Sequence, residues 1–256
     1  MLLSGAVNRQ AMLYKFIRDT IGKRKMFALQ VDPDKYDDES LARIGKAAGQ
    51  NGIDFILAGG SLISNPIDHV IRILKENTDV PVILFPGNVM QISGNADGIF
   101  LLCLISGRNP EYLIGNHVIA APVLKKSGLE IIPTSYILIE NGRLTSVEYI
   151  SNTKPIPADK VELAVATALA GEMLGHRLLY LEAGSGAIEP VKTNLIAEVK
   201  RNISIPLIVG GGIQKPDQLN AIYDAGADVI VIGTALEKDL NNLEVLAGAA
   251  AEYNGC

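Results

Sequence analysis

Tryptophan is absent from the 256 residues, aromatic residues make up only 5%, and there are just two cysteines, Cys103 and Cys256. The cysteines lie far apart, with neither CxxC spacing nor a histidine cluster beside them, so neither a disulfide scaffold nor a zinc site is expected. Such sparse usage fits a reducing compartment, and a cytoplasmic location follows as the expectation. Positive charge is also in the minority: 23 Lys plus Arg against 28 Asp plus Glu give a formal charge of -5 and a pI of about 5.3. A chain with that balance is poorly suited to gripping a polyanionic duplex, and no nucleic-acid partner is expected. No apolar run approaches the ~18 residues needed to span a bilayer. The opening MLLSGAVNRQAM lacks a basic stretch followed by a sustained apolar one, so no secretory leader is expected and the protein reads as soluble.

Aliphatic side chains are what the chain has in plenty, with 48% of residues apolar and a mean hydropathy of +0.24. They gather in eight short runs: MFALQVD (26–32), IDFILAGG (53–60), PVILFPG (81–87), GIFLLCL (98–104), LEIIPTSYILI (129–139), RLLYLEAG (177–184), IPLIVGGG (205–212) and DVIVIG (228–233). Each is nearly continuous instead of alternating apolar with polar, which is the pattern of strands buried on both faces of a parallel sheet. Helical periodicity follows most of them, at about 38–50, 66–77, 109–120, 158–175, 190–201, 216–225 and 235–252. Strand and helix alternating over this length predict an α/β fold, a single TIM-type (β/α)8 barrel occupying residues 1–256 as one domain.

Two places depart from the regular unit. Only about ten residues separate Pro86 from Gly98, too few for a full crossover helix, so the third helix is expected to be short or missing. After the fifth run, Asn141-Gly142 between apolar segments is a type I′ turn signal and predicts an extra β-hairpin.

Barrel chemistry gathers where strands end and βα loops begin. Those positions read Asp32-Pro33-Asp34-Lys35, Gly59-Gly60-Ser61, Glu182-Ala183-Gly184-Ser185-Gly186, Gly210-Gly211-Gly212 and Gly233-Thr234. Paired glycines after the seventh strand and Gly-Thr after the eighth match a barrel phosphate site, in which backbone N–H groups bind an anion that a Cβ would hold off. Glu182 is placed by strand alternation at the mouth and reads either as a general base toward a substrate hydroxyl or as a structural carboxylate that caps a helix or pairs with a lysine. Asp32, on a strand that closure makes adjacent to the glycine loops, is a hard ligand suited to Mg2+, and Ser61 on the neighbouring strand offers a second oxygen. Asp34 reads equally well as part of an Asx-type turn. His69, His117 and His176 are scattered and read as surface or core residues, and Cys103 as a small core hydrophobe.

Taken together and in order, FALQVDPDK, ILAGGS, PVILFPGN, LISGRNPEYLIG, IIPTSYILIENG, YLEAGSGA, IVGGGI and VIGTAL resemble the geranylgeranylglyceryl phosphate synthase family, which includes bacterial heptaprenylglyceryl phosphate synthases; the likeness runs from about residue 27 to 236. The resemblance implies a Mg2+-dependent barrel prenyltransferase that joins sn-glycerol 1-phosphate to a polyprenyl diphosphate, geranylgeranyl diphosphate foremost, and releases diphosphate. It implies Mg2+ on Asp32 and Ser61, and glycerol phosphate on Tyr180, Leu181, Glu182, Ala183, Gly184, Ser185, Gly186, Gly211, Gly212, Gly233 and Thr234, with Glu182 taking the hydroxyl proton. It further implies a homo-oligomer, dimer or hexamer, and leaves room for transient membrane contact at product release. Gln30 stands where some relatives carry a lysine, which leaves open where a basic phosphate contact comes from. The aliphatic surplus acquires a second use as a groove for the isoprenoid tail along the third crossover and Ile99 to Ile114. Two other readings share the phosphate site: a phosphosugar isomerase or lyase, with Asp32 and Glu182 as opposed carboxylates, and a non-catalytic binder of a phosphorylated ligand.

Overall fold

The computed structural model describes residues 12–233 and 241–255. Eight strands, β1 (Met26–Val31), β2 (Phe55–Ala58), β3 (Val82–Leu84), β4 (Gly98–Leu104), β5 (Glu130–Leu138), β6 (Leu178–Glu182), β7 (Leu207–Gly210) and β8 (Val229–Ile232), pair in parallel with their sequence neighbours. Met26 to Leu29 then pair with Val229 to Ile232, which closes the barrel. The continuous apolar runs explain this geometry, because alternate side chains enter two different cores. Ala28, Leu57, Ile83, Phe100, Ile132, Leu178 and Ile208 fill the barrel interior, while Leu29, Ile56, Leu84, Ile99, Leu179 and Val209 meet the surrounding helices. Neither face tolerates a polar residue over most of a strand's length, so no alternation appears in the sequence.

The outer ring contains α2 (Asp38–Gln50), α3 (Ile67–Asn77), α4 (Asn116–Ser127), α6 (Val161–Met173), α7 (Thr193–Asn202), α8 (Pro216–Asp224) and α9 (Asn241–Gly255), each overlapping a segment of helical period, with α4 starting and ending seven residues later than the expected 109–120. A π-turn at Glu111–Gly115 leads directly into α4. Helix α1 (Met12–Ile21) was not anticipated from the sequence and closes the bottom of the barrel, where Leu13 and Ile17 join the interior cluster. Its first-turn N–H groups have no intrahelical acceptors. Leu13 (2.6 Å) and Tyr14 (3.0 Å) donate theirs to the buried carboxylate of Glu130 at the start of β5.

As expected, no helix stands between β3 and β4 among the described residues. The crossover is instead tied down by polar side chains: Asp68 takes Ser93 and Asn95, while Asp97 accepts from Lys75 at 2.6 Å and from the Val82 N–H at 2.9 Å. The hairpin expected at Asn141-Gly142 does not form. After β5 the chain makes one parallel bridge, Ile139 to Ile156, and turns into a short helix, α5 (Ser146–Ser151), whose N-cap Thr145 accepts from the Glu148 N–H. Asn141 donates to the Ala183 carbonyl and Arg143 to that of Gly186, so the turn residues are committed to the loop after β6. Val147 and Ile150, three apart, suit a helix that presents one apolar side and not a strand.

Candidate active site

Strand order sets the arrangement of the barrel mouth. The loops after β6, β7, β8 and β1 are consecutive, so glycine loops separated by tens of residues lie side by side and Gly233 faces Gln30 at the end of β1. They open on one cavity of about 520 Å3. One end of it is polar, with Asp32, Lys35, Ser61, Glu182, Gly211 and Gly233 in its wall. The other end is apolar and runs past Ile99, Leu101, Leu102 and Leu104 of β4 to Tyr112, Ala120 and Leu124 on the π-turn and α4, with Val147 and Ile150 of α5 on its flank. The absent third helix leaves this side of the barrel open.

Glu182 ends β6 at 7% exposure, pointing inward above Tyr180 and beside Tyr136 of β5. Both phenols hydrogen-bond to its carboxylate, and the Gly184 N–H donates to Oε1 at 2.6 Å. Burial disfavours the ionised form, and the three donors recover part of the cost. The net result pushes the carboxyl up to about 7. Tyr136 and Tyr180 are themselves held well above the usual phenol range by burial and then by the neighbouring Glu182 charge, so they remain donors. Their rings stack at 5.5 Å, with the Phe85 ring 5.1 Å from Tyr180.

The glycines beside Glu182 are required by backbone geometry. At Gly212, φ is +74° and a Cβ would lie 2.6 Å from the Glu189 carbonyl; at Gly211 it would lie 2.5 Å from Glu182 Oε1. The two loops therefore pack backbone against backbone, and Gly211 and Gly212 are tight-turn residues whatever else they do. Among the described residues, the N–H groups of Ser185, Gly211 and Gly212 have no protein acceptor, and all three residues line the cavity. Backbone N–H donors left open on a cavity wall are chemically suited to an anion. Leu181 and Ala183 face the outer core, so only their backbone belongs to this loop. Thr234 lies outside the described residues.

Across the mouth, Asp32 is half-buried, and that burial raises its carboxyl above the usual range against the opposing effects of the Asp34 N–H and Lys35. Asp34 N donates to Asp32 Oδ1 at 3.1 Å and Lys35 N to Asp32 O at 3.1 Å, so DPDK is an Asx-type turn centred on Asp32. Asp34 fastens this turn to the loop after β2, accepting from Ser64 N (2.8 Å), Ser64 Oγ (2.9 Å) and Asn65 N (2.8 Å). These bonds hold its carboxyl below the usual range. Gln30 donates to the Gly59 carbonyl at 2.8 Å and makes no cationic contact.

Outside this centre, His69 contacts Asp38 and His176 shares a 2.6 Å hydrogen bond with Ser135. His117 donates its Nε2–H to the Leu102 carbonyl, 2.9 Å away, and lines the apolar end. Cys103 is half-buried against the Leu113 carbonyl and is not the core residue its strand suggested. Two side chains at or beside this site were not singled out in the sequence: Tyr136, which reads as one apolar residue of a strand, and Gln91, a lone polar residue in the third crossover. A glutamine within the otherwise apolar VMQI was the only signal of the last.

A closed parallel barrel with unpaired backbone N–H groups on the loops after β6 and β7, a buried carboxylate beside them and an apolar groove leading away has the layout of an α/β-barrel enzyme with its ligand site at the barrel mouth. The PcrB family profile matches residues 19–249, and the chain belongs to that family. It is 48% identical over 232 residues to a geranylgeranylglyceryl phosphate synthase of Spirosoma linguale, covering 90% of this chain and 93% of that one. A protein of the same name from Pyrococcus horikoshii is 43% identical over 243 residues, covering 94% and 95%. Among solved structures, (S)-3-O-geranylgeranylglyceryl phosphate synthase from Thermoplasma acidophilum, in complex with its substrate sn-glycerol-1-phosphate, superposes with a TM-score of 0.89 at 36% identity, covering 96% of this chain and 99% of that one.

Proposed function

We infer that this protein is a prenyltransferase that joins the hydroxyl of sn-glycerol 1-phosphate to a polyprenyl diphosphate and releases diphosphate. The observation that carries the reading is one cavity containing both an anion cradle next to a buried carboxylate and a groove lined by aliphatic side chains. A phosphosugar isomerase or lyase has no use for the groove, and a simple binder has no use for a carboxylate held near neutrality. Family membership and the name shared by its relatives support the same reading.

In this mechanism the N–H groups of Ser185, Gly211 and Gly212 hold the acceptor phosphate and so orient its hydroxyl. Glu182, ionised through the help of Tyr136, Tyr180 and the Gly184 N–H, takes the hydroxyl proton as the oxygen attacks the allylic carbon. The prenyl chain lies along β4 and α4, where water is excluded and the carbon–oxygen bond of the diphosphate is left exposed to the acceptor. Lys35 and Asp32 border the place of the leaving group.

Mg2+ is part of this proposal. Asp32 and Ser61 supply hard oxygens, and a half-buried carboxylate with a raised pKa is one that gains from a countercharge. Mg2+ takes most of its ligands from substrate phosphates and water, so one carboxylate and one hydroxyl would be enough to hold it. Bound there, Mg2+ would neutralise charge on the departing diphosphate. A geranylgeranyl donor, cytoplasmic action and assembly into a dimer or hexamer complete the proposal. The exposed Val118, Ile119 and Val123 on α4 support association, and no helix among the described residues is long and apolar enough to cross a membrane.

The test is incubation with sn-glycerol 1-phosphate and labelled geranylgeranyl diphosphate, with Mg2+ or with chelator, scored by organic extraction. Mg2+-dependent appearance of a labelled prenylglyceryl phosphate is the expected result. Its absence, also when labelled prenyl diphosphates of shorter and longer chain replace the geranylgeranyl donor, refutes the assignment.

A further inference from the structure

The loop after β2 meets the helix-free crossover that follows β3. Their backbones approach closely: a Cβ on Gly87 would strike the Gly60 carbonyl and lie 2.8 Å from the Ser61 Cα, and one on Gly59 would strike the Phe85 carbonyl. Packing of this kind leaves the backbone polar groups of Gly60 and Gly87 half-buried, where a protein partner offsets the water they lose. Gln91 supplies it. Fully buried, its Oε1 accepts from the N–H of Gly60 (3.1 Å) and of Gly87 (3.3 Å), and its Nε2 donates to the Gly60 carbonyl at 2.7 Å. Gly60 is thus held at both its amide and its carbonyl by one side chain.

Gly60 in turn lies against Asp32, whose carboxylate oxygens would be 3.2 Å and 3.4 Å from a Cβ there, and it precedes Ser61. Gln91 itself touches none of the reacting groups. Its own loop is fixed by the Gln91 N–H on the Asn88 carbonyl at 3.2 Å and the Met90 N–H on Asn88 Oδ1 at 2.9 Å. A rigid chain of contacts therefore runs from the helix-free crossover to the two oxygens on the Asp32 side of the cavity. The glycine cradle on β6 and β7 has no part in it.

We propose that Gln91 is a positioning residue for the diphosphate half of the reaction: it sets the placement of Ser61 against Asp32 and has no role in holding glycerol phosphate. The proposal rests on the assignment of the Asp32 side to the diphosphate. The short crossover then has a use. Where a helix would pack by side chains alone, a loop built around one glutamine fixes two adjacent strand ends to within a hydrogen bond, the tolerance a charged ligand needs.

Gln91→Met keeps the volume and removes all three bonds, Gln91→Glu keeps the acceptor, and Asp32→Asn reports on the assignment itself. In the full chain, calorimetry measures sn-glycerol 1-phosphate alone and inorganic diphosphate with Mg2+, alongside KM for each substrate and a thermal melt. Gln91→Met should weaken diphosphate binding and raise the prenyl diphosphate KM by about tenfold or more, with glycerol phosphate affinity within twofold of wild type. Should Gln91→Met fail to fold, Gln91→Glu carries the same comparison with a smaller effect. Equal losses for both ligands, or no change in either, overturn the role of Gln91. If Asp32→Asn binds diphosphate as wild type does, the underlying assignment falls instead.

Discussion

Replacing Glu182 by Gln removes the one atom pair able to accept the acceptor's proton while leaving the shape of the site intact. The amide oxygen still takes the Gly184 N–H that Oε1 holds at 2.6 Å, and the amide remains within reach of Tyr136 and Tyr180. Phosphate binding depends on the backbone of Ser185, Gly211 and Gly212, so glycerol phosphate affinity should stay within a few-fold of wild type by calorimetry. Loss of a general base costs ~10² to 10⁴ in rate, and kcat should fall by that amount. The wild-type pH profile provides the second half of the test. With the carboxyl at about 7, roughly a tenth of the enzyme carries an ionised base at pH 6 and roughly nine tenths at pH 8, so kcat/KM should rise by about an order of magnitude across that range and then level off. Glu182→Gln should lose that rise. A variant with wild-type kcat, or one that keeps the inflection near pH 7, refutes the reasoning, and collapse of affinity together with rate would make Glu182 a binding residue.

Asp32→Asn keeps shape and loses charge, and initial rates should drop by orders of magnitude with little rescue from excess Mg2+; near-normal turnover in a Mg2+ titration would move the ion elsewhere. Ala120→Phe, placed in the wall of the groove on α4, should shorten the longest prenyl donor accepted, read from product chain lengths by chromatography, while the shortest donor reacts as before. An unchanged length profile would place the tail on another path. Glu130→Ala leaves the Leu13 and Tyr14 N–H groups without their acceptor at the bottom of the barrel, a loss of ~1–3 kcal/mol in chemical denaturation with kinetic constants unchanged. A stability equal to wild type would mean that α1 is held by its apolar face alone.

The sequence by itself determined the barrel. Eight continuous apolar runs such as IPLIVGGG and DVIVIG, most of them followed by helical period, leave no other economical way to bury both faces of a strand, and glycines such as Gly211 and Gly212 at strand ends mark the barrel mouth because few residues other than glycine adopt those backbone angles. Even the missing third helix was countable, since ten residues cannot make the crossover with one. The hairpin at Asn141-Gly142 failed because a turn signal is local while the partners that claimed Asn141 and Arg143, the carbonyls of Ala183 and Gly186, are over forty residues away. Only the tertiary structure decided which groups surround Glu182. Tyr136 and Tyr180 are apolar strand residues by pattern, and it is the pairing of β5 with β6 that buries the Glu182 carboxylate, which raises its pKa, and turns two phenols into donors that offset part of that rise. Gln91 is the same case in a loop: its meaning lies in three backbone groups from two strand ends, and bonds of that kind, made across distance in sequence, leave no periodicity to read.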